Sequence, residues 1–443
     1  MASNSVISLH SGVSRGRPDE HGSVADAMIV PQAIGGCMAS AVAWLDTSED
    51  EQRRIREVIQ LFSQQESRDE LGIGQIRDAL SDLLFPGTSV LQTRARYFLI
   101  VPWSFQHAAR TGSRRDMARR ARDTERRLVE VLVQRTDDGV IGRRAGAAVK
   151  NLPSALFWSG LQTYGILIRP LNPDQLTGAV LGMGDGDAAD ELVARRVGEW
   201  HPTIPPPPPG FPTTLDGGLT MTADEARWLR ERMIEASRGT LLEHLLQSDL
   251  PPDESSAPWE DRASLGAPAA PRHVLDVAHG FSLMMNGAAL LYNLLVAERY
   301  VAAGYTRVEE PVARFEDAYA DWLDDAHAHG ALLRQWDSGA FWDLVASARV
   351  SARTREFVTV WTTAVRDGTA SGAAHDPGLR GLVAQRERTT KRGQSRLENP
   401  KMLGAWSGAS GTGRLTYRWA QVRRLVTDIH EGLARAEEAG ADA

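Results

Sequence analysis

Two arginines, Arg94 and Arg96, lie in a strongly apolar stretch of the sequence that ends at Trp103. A guanidinium group buried among apolar side chains is stable only beside a carboxylate, a carbonyl oxygen or a bound phosphate. Asp78 and Asp82, on the helix predicted just before this stretch, are the carboxylates that a purely structural network would use. The functional alternative is that Arg94 and Arg96 contact the phosphates of a nucleic acid.

A second candidate site begins at Arg386. Residues 386–424 include ten basic and two acidic residues, a local net charge of +8. The first part of this segment shows too little apolar periodicity for a packed helix and too few acids to pair with its own bases, so we expect contacts with nucleic-acid phosphates. Aromatic side chains close by in sequence could stack on bases. The predicted phosphate-binding residues are Arg386, Arg388, Lys391, Arg392 and Arg396, and the predicted stacking residues are Trp406, Tyr417 and Trp419.

The third candidate region, residues 110–150, is the second strongly basic segment. It has twelve basic and six acidic residues and a local net charge of +6. The whole chain carries −7, so the rest of it carries −21, and two positive regions on an acidic body can steer polyanions. Residues 110–135 predict an amphipathic helix, whose bases could instead form internal ion pairs on a solvated face. Arg143 and Arg144 lie among two short helices predicted within residues 139–167, which could form a nucleic-acid-binding helix-turn-helix.

Motifs of catalytic or metal sites are weak or missing in the sequence. A glycine loop at residues 406–411 could offer backbone amides to a phosphate, but it lacks the GxxxxGK[ST] order of a nucleotide-binding loop, which favours a plain tight turn. No serine-hydrolase, phospholipase D, Walker or dinucleotide-binding signature occurs. We therefore expect no metal and no cofactor, and catalytic residues are unknown. The histidine pairs that could be tried as metal ligands, but that look like ordinary loop or helix histidines, are His327 with His329 and His273 with His279.

The elements that must position these residues are mainly α-helices. An apolar stripe from Ile73 to Leu84 has helical spacing and stops at Phe85-Pro86-Gly87. The apolar run of residues 281–297 is interrupted by polar residues, which predicts a buried core helix and no membrane association. We predict a mainly α, multi-helical fold, with two helical lobes joined by a proline-rich linker and few or no strands. The predicted bounds are a disordered extension or misassigned start at 1–37, an N-terminal helical domain at 38–200, the linker at 201–220, a C-terminal helical domain at 221–433 and a tail at 434–443.

Several long blocks of this sequence resemble an uncharacterised bacterial family of unknown function, whose members tend to be encoded in anti-phage defence islands. The resemblance is carried by LGIGQIRDALSDLLFPGTSVLQTRARYF from Leu71, GAALLYNLL from Gly287 and WSGASGTGRLTYRW from Trp406. It implies a defence operon as the setting, with helicase-like or phospholipase D-like proteins as partners. It implies no catalytic residue.

Together these features favour a non-catalytic, nucleic-acid-associated subunit of a multi-gene anti-phage defence system. The alternatives are a nuclease-type effector enzyme without a recognisable motif and a scaffold that binds only proteins. A single cysteine, Cys37, excludes an intramolecular disulfide framework and fits a cytoplasmic protein. The sequence does not distinguish DNA from RNA.

Overall fold

The computed structural model of this chain describes residues 69–111, 114–135, 138–176 and 198–441. These residues form fifteen α-helices and short 3₁₀ turns, with no strand beyond one isolated bridge between Leu167 and Trp200. The prediction of a mainly α, multi-helical fold is therefore confirmed. The extension predicted at residues 1–37 lies outside the described part of the chain.

The two arginines of the apolar stretch lie between the first two helices. Helix α1 covers Gly74–Leu84 and ends at Phe85, as the Phe85-Pro86-Gly87 break predicts. Helix α2 covers Tyr97–Arg110, and its side chains are buried from Tyr97 through Phe105. Arg96 is the residue that precedes α2, so the main chain itself directs this arginine into the core.

Helix α3, Met117–Gln134, and helix α4, Pro153–Thr163, pack against α2. The basic stretch is an amphipathic helix, as predicted, with Met117, Ala121 and Leu128 among its buried residues. The first of the two short helices predicted within residues 139–167 is wrong. Turns and a 3₁₀ turn at Gly146–Ala148 occupy that place, because glycines there adopt left-handed φ angles that interrupt a helix. The helix-turn-helix is therefore wrong as well.

The proline-rich segment packs against α2. The indole Nε1 of Trp103 donates to the carbonyl oxygen of Pro205 at 2.7 Å, and Phe211 meets the Trp103 ring edge-on at 5.8 Å. Helix α5, Ala223–Ala236, follows with a capping box in which Thr222 and Glu225 exchange hydrogen bonds. The described residues, 69–441 with their gaps, all fall within one compact unit. The boundary between lobes at residues 201–220 stays a prediction.

Helix α8, Ala269–Ala302, is the centre of the C-terminal half. By length and composition it could cross a membrane, but 83% of its most apolar window is buried by the protein's own residues. Helix α9, Pro311–Ala328, packs along it so closely that a Cβ on Gly287 would lie 2.2 Å from the Trp322 ring. The prediction of a buried core helix is therefore confirmed.

Short and medium helices surround α8 and complete the chain. Residues 386–391, predicted to be too weakly periodic for a packed helix, belong to helix α13, which begins at Pro377 and is capped by the Asp376 carboxylate. The last helix, α15, packs on α5 and α6. The remaining bounds are α6 Leu241–Gln247, α7 Arg262–Leu265, α10 Gly330–Gln335, α11 Ser338–Leu344, α12 Ala352–Arg366, α13 Pro377–Lys391, α14 Pro400–Gly404 and α15 Trp419–Ala441.

Candidate functional site

Arg96 is fully enclosed by protein, with 1% of its surface exposed. Its Nη2 donates to Glu225 Oε1 at 2.8 Å, and its Nη1 donates to the carbonyl oxygens of Asp216 and Gly218 at 2.7 and 2.6 Å. The guanidinium also lies over the Trp103 ring, 5.7 Å from its centroid. Arg96 therefore connects the start of α2 with the start of α5. Its Nε has no hydrogen-bond partner among the described residues, but burial keeps the guanidinium away from a phosphate in solution.

Arg94 is paired in the same way with the last helix. Its Nε lies 2.9 Å from both carboxylate oxygens of Asp428, and its Nη1 donates to the carbonyl oxygen of Asp138 at 3.1 Å. Burial raises the pKa of Asp428, and the Arg94 charge opposes that rise. The backbone N–H of Ala95 donates to the same carboxylate at 2.8 Å, so this ion pair is well satisfied.

The expectation that both arginines have protein partners is correct, but the predicted partners are wrong. Asp82 instead accepts from Arg418 Nη1 at 2.6 Å, and Asp78 is 2.9 Å from Arg77. The true partner of Arg94 stands 334 positions away in the sequence. Asp78 and Asp82 were predicted because they lie close by in sequence. Helix packing instead brings carboxylates from distant parts of the chain closer to Arg94 and Arg96.

Arg386 is buried at the packed face of α13. Its Nε donates to the carbonyl oxygen of Leu71 at 2.6 Å, and its Nη2 donates to the carbonyl oxygen of Gly72 and to Thr354 Oγ1, both at 2.9 Å. The guanidinium lies over the Phe357 ring at 5.5 Å. This arginine joins α13 to α12 and to the segment before α1, which is a structural role.

Glu70 forms ion pairs with two more of the predicted phosphate-binding residues. Its carboxylate lies 3.0 Å from Lys391 Nζ and 2.9 Å from Arg396 Nη1, and only 4% of the residue is exposed. Arg396 Nη1 also donates to the Tyr292 hydroxyl at 3.2 Å, and its backbone N–H donates to Glu387 Oε1 at 2.7 Å. Burial raises the pKa of Glu387, whose carboxylate also accepts from Ser395.

Of the five residues predicted in this segment, Arg392 alone is exposed and has no ion pair within the described part of the chain. Arg388 Nε lies 3.1 Å from Glu398. The segment does have few acids of its own, but its bases are not left unpaired, because Glu70, 326 positions from Arg396 in sequence, pairs with Arg396 and Lys391. The predicted stacking residues are buried as well, with Trp406, Tyr417 and Trp419 exposed by 1%, 2% and 0%.

The outer face of α3 and the turn after it form a different basic surface, which we call the α3 surface. Within the described part of the chain, Arg119 has one ion-pair contact, a long one of 3.6 Å with the half-exposed Asp116, whereas Arg122 and Arg126 pair with Asp174 and Asp123 at 2.7 and 3.2 Å. Arg144 is exposed with no ion pair to a described residue, and the adjoining 3₁₀ turn packs on α3. The exposed bases of the α3 surface are Arg115, Arg119, Arg127, Arg135, Arg143 and Arg144.

Glu125 links the inner side of α3 to the start of α4 by hydrogen bonds. Both its oxygens accept from Ser154 at 2.7 Å, one from the backbone N–H and one from the hydroxyl. Ser154 lies in the first turn of α4, where a carboxylate also meets the positive end of the helix dipole. Burial raises the pKa of Glu125 to about 7 despite these hydrogen bonds and the nearby Arg122 and Arg126.

The structure pairs histidines that sequence spacing did not. His279 stacks on Trp259 with ring centroids 4.4 Å apart and meets His329 edge-on at 5.0 Å. Burial, together with the nearby His329 and Arg414, lowers the pKa of His279 to about 4. His329 lies 3.1 Å from Asp325, yet the described residues contain no group of three or more His, Cys, Asp or Glu side chains able to hold a metal. No sequence signal connects α8 with the end of α9.

In the part of the chain that the structure describes, the fold is helical, buried arginine–carboxylate pairs hold it together, and exposed arginines are concentrated on the α3 surface. Comparison with known proteins shows that the chain belongs to the family of unknown function DUF6361, which matches residues 39–432. No curated protein and no solved structure matches the chain.

Proposed function

We propose that this protein is a non-catalytic, nucleic-acid-associated subunit of a bacterial anti-phage defence system, and that it binds phosphate backbone through the α3 surface. The observation that supports this proposal is the concentration of exposed arginines there. Their side chains face solvent, whereas the guanidinium groups of residues 386–396 are mostly engaged by protein carboxylates and carbonyl oxygens.

The spacing of the α3 arginines favours a duplex over a single strand. Arg119 and Arg127 are eight positions apart on one face of α3, about 12 Å along the helix axis. That distance is close to the width of a DNA major groove, roughly 12 Å, so the two side chains can reach phosphates of both strands. No Phe, Tyr or Trp side chain among the described residues is exposed, so this part of the protein offers none of these rings for stacking single-stranded bases.

The setting of the proposal comes from the resemblance to proteins of anti-phage defence islands. Partners would then be other products of the same operon, such as helicase-like or phospholipase D-like proteins, in the cytoplasm. Contacts to phosphate alone do not read sequence. A subunit of this kind supplies general nucleic-acid affinity, and its partners supply selection and cleavage.

The test is fluorescence anisotropy of the purified protein with a duplex and with either of its single strands, over a salt series. We expect duplex binding with a slope of log affinity against log salt of roughly −3 to −5, about 0.9 per phosphate contacted. A scrambled duplex should bind equally well. Absence of binding to either form at low salt would contradict the proposal and favour a scaffold that binds only proteins.

A further inference from the structure

The glycine loop forms one wall of a cleft, which we call the loop cleft. The segment before and into α1, from Asp69 to Arg77, forms the second wall, and α8 forms the third with Asn286 and Tyr292. Ser410, Gly411 and Gly413 line the loop side. Three stretches that are far apart in the sequence therefore meet around one small concave space, well away from the α3 arginines in sequence.

The loop is held in place by asparagines of α8. Asn293 accepts from the Ser410 backbone N–H and donates to the Ser410 carbonyl oxygen, both at 2.8 Å. Asn286 Nδ2 donates to the carbonyl oxygen of Thr412 at 2.9 Å. Since two buried or half-buried amides fix the loop backbone on an otherwise apolar helix, the loop is preformed and a ligand need not order it.

The two carboxylates that line the loop cleft are already occupied. Asp69 accepts from the backbone N–H groups of Ile73 and Gly74 at 2.7 and 2.8 Å, which caps α1. Glu70 is neutralised by Lys391 and Arg396, as described above. Both carboxylates therefore have donors or cations beside them, although Glu70 Oε2 makes no hydrogen bond among the described residues.

The groups left without partners are mainly donors. The Ser410 hydroxyl is 1% exposed and has no hydrogen-bond partner among the described residues. The Tyr292 hydroxyl accepts from Arg396, and its own proton has no acceptor in that same part of the chain. The backbone N–H groups of Gly411 and Gly413 are unbonded in the same sense. Arg77 also lines the cleft with 28% of its side chain exposed, although its guanidinium already pairs with Asp78 at 2.9 Å.

We propose that the loop cleft binds the phosphate group of a small phosphorylated ligand. A ring of hydroxyl, amide and guanidinium donors around a small space is complementary to an oxyanion, and backbone amides of a glycine loop suit phosphate in particular. A buried hydroxyl without a partner is unfavourable in the empty state, and a bound oxygen would satisfy it. This site does not depend on the α3 surface.

The experiment is isothermal titration calorimetry of the full chain with inorganic phosphate, pyrophosphate and AMP, at ionic strength held constant with chloride. We expect binding of at least one of them, weakened about fivefold or more by S410A and by R77Q, because each variant removes one hydrogen bond, worth a factor of about five to ten. S407A, on the exposed part of the same loop, should bind as the wild type does. Circular dichroism melts check that each variant is folded.

Four outcomes would overturn the proposal. These are no heat with any of the three phosphates, undiminished binding in both S410A and R77Q, equal binding of acetate, or loss of binding in an R119Q/R127Q variant instead. The last outcome would assign the phosphate to the α3 surface. If S410A and R77Q both fail to fold, titration of wild type with phosphate while observing the Tyr292 side chain by NMR decides, because a ligand in the cleft must shift it and one elsewhere must not.

Discussion

Two segments of similar charge in the sequence differ in the structure in how many of their basic side chains are exposed and unpaired. Residues 110–150 and residues 386–424 are both strongly basic, and the second is the more so. Yet most basic side chains of the second segment contact carboxylates or carbonyl oxygens of the protein, whereas the first segment has several exposed arginines. Local charge density therefore did not indicate which segment is free to bind a polyanion.

The difference lies in where the acidic partners come from. In α3, acids three positions away pair with the arginines on the sides of the helix, and the outermost arginines have no described ion-pair partner closer than 3.6 Å. In the C-terminal segment Arg396 pairs with Glu70 and Arg418 pairs with Asp82, and these acids lie 326 and 336 positions earlier in the sequence. Such pairs use charge to fix the tertiary structure, so a phosphate would have to displace a protein carboxylate to bind these bases.

The largest effect should come from Arg96→Ala, which leaves Glu225 Oε1 and two backbone carbonyl oxygens without their donor. We expect a loss of roughly 3 to 5 kcal/mol in the free energy of unfolding, and a similar loss for Arg94→Ala. Urea denaturation followed by circular dichroism measures both. Arg126→Ala, which breaks an exposed pair within α3, is the matched control and should change stability by less than about 0.5 kcal/mol.

If either buried arginine can be removed without loss of stability, the contrast between structural and exposed arginines fails. Folded variants that lose nucleic-acid binding would then make Arg94 and Arg96 part of a binding site after all.

Glu125 allows a test of how firmly α3 is fixed. Its pKa is about 7 in the folded protein and near 4.5 in the unfolded chain, so the folded state holds the proton more tightly. The resulting stabilisation is complete below pH 4.5 and is lost as the pH rises through about 7. Between pH 5 and pH 8 the wild type should therefore lose up to about 3 kcal/mol from this group, whereas Glu125→Gln should not.

Urea denaturation at both pH values measures the difference between wild type and Glu125→Gln, which cancels other titrating groups. Glu130→Gln, exposed on the same helix, is the control and should follow the wild type. Parallel stability curves for Glu125→Gln and wild type would show that this carboxyl titrates in its ordinary range.

The sequence was sufficient to predict the helices, but not which residues of different helices pair with one another. Helix α1, its stop at Phe85, the amphipathic α3 and the buried α8 all follow from local periodicity and turn chemistry, which act within one element. The ion pair of Arg94 with Asp428 depends on packing between the two ends of the chain, for which no local pattern exists. The same limit hid the position of Glu70 beside Arg396 and of His279 beside His329.

Charge neutralisation on the α3 surface should affect binding without affecting folding. Replacing Arg119, Arg127, Arg135 and Arg144 together with Gln should flatten the salt slope of duplex binding by roughly three to four units, at about 0.9 for each phosphate that is no longer bound. Stability should be almost unchanged, since these side chains are exposed. Anisotropy over a salt series measures the slope, and an unaltered slope would remove α3 from the proposed interface.

The smallest effect on binding should come from the segment that looked most favourable in the sequence. Replacing Arg388, Lys391 and Arg392 with Gln should change the salt slope by at most about one unit, because only Arg392 is exposed without an ion pair to a described residue. Some stability should be lost instead, since Glu70 then keeps Arg396 as its one ion-pair partner among the described residues.

The comparison with the α3 variant is made on the same duplex and in the same salts. A flattening of two to three units would show that phosphates displace Glu70 and Glu398 from these bases. The C-terminal segment would then be a nucleic-acid-binding arm, and the contrast between the two regions would be wrong.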